Sequence, residues 1–167
     1  MFRRGRKVSE KVLFTRAGRV AGKLIGRMTF SHHNLLVELN DDWWVEADMV
    51  GFVPRSKSYR ALSASKNHSV FEVCIEEIGP VEVGPGRRVS IFKDDMEVEH
   101  LTARERVLRL LQGFRAGDAI PPVEVVENVP GYGFRDKLTH GTHRLYCALA
   151  AGFKYVPAVK GFAWENR

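Results

Sequence analysis

Cysteine is scarce in this chain. Cys74 and Cys147 are the only two among 167 residues and lie far apart, which argues against a disulfide framework and for reduced thiols. Long apolar runs are also missing. No stretch approaches the roughly 18 uninterrupted apolar residues of a transmembrane helix, so no membrane partner is expected. The N-terminus "MFRRGRKVSEKVLF" carries the positive charge of a secretory leader but no apolar segment behind it. A cytoplasmic location is the default expectation. No internal repeat or low-complexity tract is present, which excludes solenoids and arrays.

What is present is enough apolar material for a packed core. Hydrophobic residues make up 44% of the chain, and this length fits one medium domain with room for an appendage. The net charge of +6 is unevenly placed. Residues 1–27 hold nine basic side chains, Arg3, Arg4, Arg6 and Lys7 among them, against the single acid Glu10. Of 26 basic and 20 acidic residues in all, 17 and 19 are left for the rest. The body is therefore nearly neutral. The leading segment is a candidate nucleic-acid contact, since Lys and Arg displace counterions from a phosphate backbone. The competing reading is a solvated terminus.

Residues 28–68 form an N-terminal extension that is hard to parse. In "NLLVELNDDWWVEADMVGFV", Asn40-Asp41-Asp42 reads as a turn between two short strands. Strand geometry would then send Trp43 and Trp44 to opposite faces, one to the core and the other either to a contact surface or, more commonly, half-buried. The Ser-rich stretch 54–69 reads as a loop or linker and sets the expected boundary before a domain at 69–167. Within that domain, 70–78 alternates as a half-buried strand and 80–92 reads as strand, Gly-Pro-Gly turn, strand. Thr102 and Glu105 fit a capping box. Val107, Leu110, Leu111 and Phe114 come next as one apolar stripe, with Gly113 and Gly117 marking the helix end. Residues 119–128 form a strand entered through Pro121 and Pro122, and 131–138 its partner. A helix over 143–151 and a strand over 154–159 complete an α+β fold, a small mixed β-sheet with packed helices.

The segment "LTHGTHRLYCALAAGFKYVPAV" carries the chemistry. A helix starting near Thr142 or His143 presents unpaired N–H groups and a partial positive charge. Gly141 permits close approach of a ligand to the main chain. Thr142 is a competent cap, and Arg144 can grip a phosphate with parallel hydrogen bonds. Together these make an anion site, most naturally for phosphate. The competing structural reading has Thr142 capping, His143 at the core edge and Arg144 paired with an acid. His140 and His143 are separated by Gly141 and lack a nearby third ligand, so no protein metal site is expected.

The stretches "HGTHRLYCALAAGFKYVPAV" and "GFRAGDAIPPVEVV" resemble the ParB/sulfiredoxin superfamily, over about residues 69–160 and most strongly over 117–159. The resemblance implies a ParB/sulfiredoxin-like fold whose Gly-x-His-Arg turn grips nucleotide phosphates. That role falls on Gly141, Thr142, His143 and Arg144, with Gly117, Ile120, Pro121 and Pro122 bordering the nucleotide. It implies ATP, ADP or CTP as ligand, with Mg²⁺ beside it. Sulfiredoxins carry a catalytic Cys before His-Arg. Thr142 stands there and cannot supply a thiolate, so reductase activity is not expected. Other members carry an acid before the glycine. Here His140 stands there, and Asp136 is the near substitute in sequence. Partition clamps add a helix-turn-helix after this region, which the sequence does not show before Arg167, so clamp function is not expected.

These features support three functions. The first is nucleotide or phosphorylated-ligand binding at 141–144, with phosphoryl transfer or nucleotide hydrolysis using His143 and Asp136. The second is a DNA-associated protein or weak nuclease using Arg3, Arg4, Arg6 and Lys7. The third is a non-catalytic partner-binding module with Trp43 and Trp44 as contacts.

Overall fold

The computed structural model describes residues 27–63, 69–81 and 101–161. The basic segment with Arg3, Arg4, Arg6 and Lys7, and the expected hairpin from 82 onward, lie outside the described residues. Over those described, the chain is α+β with two small sheets and three α-helices. No helix among them is long and apolar enough to cross a membrane.

The first sheet is a hairpin. β1 (Arg27–His32) pairs antiparallel with β2 (Leu35–Asn40). Val37 and Leu39 alternate inward and are fully buried, each worth about 1.5–3 kcal/mol against exposure. The chain then turns into α1 (Asp41–Glu46), not into the second strand expected there. Asn40 is a cap, not a turn residue. Its Oδ1 accepts from the Asp42 N–H at 2.9 Å, and Asp41 and Asp42 sit where the helix dipole favours negative charge. The helical path replaces the expected opposite-face strand geometry, while one core and one half-buried Trp are as expected. Trp43 is buried in the core and is no contact surface, while Trp44 is half-buried against the same core.

The second sheet has strand order β3-β6-β4-β5. β3 (Phe71–Cys74) runs antiparallel to β6 (Tyr155–Lys160), and β4 (Val123–Glu127) runs parallel to β6 and antiparallel to β5 (Asp136–His140). A 3₁₀ turn, Ile75–Glu77, ends β3. α2 (Ala103–Ala116) starts with the expected capping box and carries Val107, Leu111 and Phe114 into the core. Gly117, at φ 77°, ends it. Gly113 is a helix residue, not a terminator; a Cβ there would meet Ile120 Cδ1 at 3.1 Å. α3 (Thr142–Ala150) joins β5 to β6 and buries Leu145, Tyr146, Cys147 and Ala148.

Residues 28–63 share this core. Val37, Leu39, Trp43, Met49 and Tyr59 belong to one cluster with Val73, Leu111, Val123 and Leu145. The expected boundary near 68/69 thus falls within a shared core. Part of the expected linker is paired. The Ile120 N–H donates to the Arg60 carbonyl at 3.0 Å, and the Leu62 N–H to the Ile120 carbonyl at 2.8 Å.

His32 locks the hairpin to the body. The ring is 1% exposed. Its Nε2–H donates to the Ile75 carbonyl at 3.1 Å. Nδ1 accepts the Tyr146 O–H at 3.3 Å, and the Tyr146 oxygen accepts the Val81 N–H at 3.1 Å. This arrangement suits the neutral imidazole, with one nitrogen donating and the other accepting. Burial pulls the His32 pKa down, only partly offset by the Ile75 bond. A folded-state pKa below the unfolded value means that the unfolded chain binds the extra proton first. Stability is therefore fully present above the unfolded pKa near ~6.5 and is lost as pH falls below it. His32→Gln keeps a donor and an acceptor but cannot titrate. The melting temperature of the wild type should fall more steeply between pH 7.5 and 5.5 than that of His32→Gln; parallel slopes would contradict this role.

Candidate functional site

β5 brings the chain alongside β4 and ends with His140 opposite Glu124. It must then reverse into α3 within one residue. Gly141 does this at φ 100°, ψ 28°, a conformation that costs any L side chain. The space is closed as well. A Cβ there would lie 3.0 Å from Val123 Cγ1 and 3.2 Å from Val123 Cα, so the turn rests on the backbone of the central strand.

Gly141, not Thr142, occupies the cap position, and no side chain caps α3. Thr142 is the first helical residue. The first intrahelical bond runs from the Leu145 N–H to the Gly141 carbonyl at 2.9 Å. The N–H groups of the residues from Thr142 to Arg144 precede it in the first turn. α1 and α2 place a capping side chain and acids in their first turns. α3 has neither, and instead carries His143 and Arg144, both half-buried.

Arg144 folds back across the entry of β4, where Nη1 donates to the Pro122 carbonyl. Burial lowers its pKa, and the neighbouring Tyr59 and Glu124 act against that shift. The guanidinium stays protonated. Among the described residues, the ion pairs do not include it. Tyr59, 4% exposed, donates its O–H to the Pro121 carbonyl at 3.2 Å, and burial pushes its phenol pKa up. Arg144 and Tyr59 thus clamp two successive carbonyls of the Pro-Pro entry.

Gly141, Arg144, Pro121 and Pro122 are brought together. Ile120 is buried in the core and packs towards Gly113, and Gly117 opens on a separate cavity. Asp136 is not brought to the turn. It begins β5, whereas Gly141 comes after its end, roughly 16 Å away at ~3.3 Å per residue. There Asp136 is fully buried and its carbonyl accepts the Gly79 N–H at 3.0 Å. Burial raises the carboxyl pKa, and Arg135 beside it acts in the opposite direction. The carboxylate that acts on Arg144 is Glu124, across from His140.

Glu124 and Tyr59 escape the sequence reading. Glu124 resembles any outward strand residue, and Tyr59 lies in a Ser-rich stretch without periodicity. Cys147 is fully buried and its thiol pKa is pushed up by that burial, as suits a small core residue. Among the described residues, no three His, Cys, Asp or Glu side chains converge to hold a metal ion. The chain matches no family model, no curated protein and no solved structure.

Gly141→Ala should destabilise the fold by about 2 kcal/mol or more, from the positive φ and the contact with Val123 together. A shift in the urea midpoint at unchanged slope measures it; a change below about 0.5 kcal/mol, the size of an ordinary surface substitution, would contradict the close approach.

Proposed function

We propose that the Gly141 turn binds the phosphate of a nucleotide or a phosphorylated small molecule. The uncapped, acid-free N-terminus of α3, with Arg144 folded beside it, is the observation that carries this reading. The N–H groups of Thr142 and Arg144 ahead of the first intrahelical bond, with an aligned dipole, suit an anion. The Pro122 carbonyl is a weaker partner for a guanidinium than a phosphate, because a phosphate adds an opposite charge and can accept two parallel N–H bonds. An arriving phosphate therefore competes for Arg144 and draws it from Pro122 to the mouth of the helix. Thr142 adds a hydroxyl beside the same N–H groups. The resemblance to the ParB/sulfiredoxin superfamily supports ATP, ADP or CTP as ligand, with Mg²⁺ carried on the phosphates as such ions commonly are. A hydrolytic or phosphoryl-transfer step would use His143 as base, with Glu124 the nearer acid and Asp136 remote.

The DNA-associated reading rests on the concentration of charge in residues 1–27, with Arg3, Arg4, Arg6 and Lys7 at its head. The two readings separate cleanly. ATP, ADP or CTP with Mg²⁺ should raise the melting temperature of the wild type, as any ligand specific to the folded state does. Arg144→Ala should weaken that binding roughly tenfold to hundredfold, the value of a charged hydrogen bond. Deleting residues 1–27 should leave it unchanged. No shift with any of the three nucleotides, or an equal shift in Arg144→Ala, would sink the phosphate site. Loss on deletion of 1–27 would assign binding to the arm.

A further inference from the structure

A cavity of 580 Å³ lies between residues 51–60 and the C-terminal end of α2, within the usual range of small-molecule sites. It is distinct from the turn at 141–144, since none of those four residues lines it. Tyr59 is the wall between the two. Its hydroxyl reaches Pro121 while its ring faces the cavity.

The floor is aromatic. The Tyr59 and Phe114 centroids are 5.2 Å apart, as are those of Phe114 and Phe153, and Tyr59 lies 6.2 Å from Phe153. All three rings are nearly buried, so the floor is fixed by the core before any ligand arrives. Val53, 75% exposed, adds an apolar wall. Gly117, in the left-handed conformation at the lip, leaves open space where a side chain would stand.

The polar part of the lining is mostly positive. Arg55, Arg60 and Arg115 contribute to it against one carboxylate, Asp118. Arg115 is paired with Asp48 at 2.8 Å. Arg55 and Arg60 are exposed and enter none of the ion pairs among the described residues. Residues 28–167 hold 17 basic against 19 acidic side chains, so this positive excess is local, not a share of a general charge. The α2 C-terminus and Asp118 disfavour negative charge beside them. The cavity thus combines an aromatic floor with a local excess of positive side chains.

We propose that this cavity binds a small organic anion with a flat apolar body. The body rests on Tyr59, Phe114 and Phe153, and a carboxylate or phosphate is held by Arg55 and Arg60. Guanidinium groups match both head groups in planar geometry, and the ring edges that reach the cavity favour a flat apolar body through edge-to-face contact.

The test titrates the full chain with 2-naphthoate, 2-naphthyl phosphate and the neutral 2-naphthalenemethanol, monitored by amide NMR. At least one anion should bind, perturbing residues 51–60 and 113–118, and should bind tenfold or more tighter than the alcohol. The better anion tells carboxylate from phosphate. Arg55→Ala with Arg60→Ala should weaken it tenfold or more at an unchanged melting temperature, because both side chains are exposed. No binding of either anion at millimolar concentration would overturn the proposal. So would equal affinity for the alcohol, a smaller loss in the double variant, or perturbation centred on 142–144.

Discussion

The close approach of Gly141 to Val123 is the contact on which the rest of the arrangement depends. A backbone turn at positive φ rests on the central strand of the larger sheet, with no room for a side chain between them. That contact sets where α3 begins. It leaves the first three N–H groups of the helix at the end of β5 and places Arg144 within reach of Pro122. The Pro-Pro entry cannot donate to a ladder and precedes β4, and its carbonyls accept from side chains. Tyr59 and Arg144 take those of Pro121 and Pro122 in turn.

α3 works in two directions. Arg144 and Tyr146 are two positions apart, hence on roughly opposite sides of a helix. One faces the β4 entry. The other reaches Val81 and, through His32, the N-terminal hairpin. A single nine-residue helix therefore ties the candidate site to the hairpin, and His32 makes that tie sensitive to protons. The pairing of Arg60 and Leu62 with Ile120 does the same for the segment that carries Tyr59. The site is thus assembled from both halves of the chain.

Local chemistry was legible where it was self-contained. The Thr102–Glu105 capping box, the Pro-Pro strand entry and the Gly-bounded helix at 142–150 each rest on neighbours within a few residues. Asn40-Asp41-Asp42 was misleading because the same residue types serve turns and helix caps, and the packing of Trp43 into the core decides for the helix. The contacts of His32 with Ile75 and Tyr146, and of Tyr59 with Pro121, span large sequence separations. No local pattern encodes such contacts. The aromatic cavity draws on 51–60, 113–118 and Phe153 for the same reason. Asp136 shows the converse error, since nearness in sequence along an extended strand is distance in space.

Amide NMR of the full chain during titration with Mg²⁺-ATP tests the central claim most directly. The account predicts that the N–H signals of Thr142, His143 and Arg144 move most and saturate together, with the Arg144 side chain moving as it leaves Pro122. Saturating shifts elsewhere with these three unmoved, or no shift at millimolar nucleotide, would contradict it.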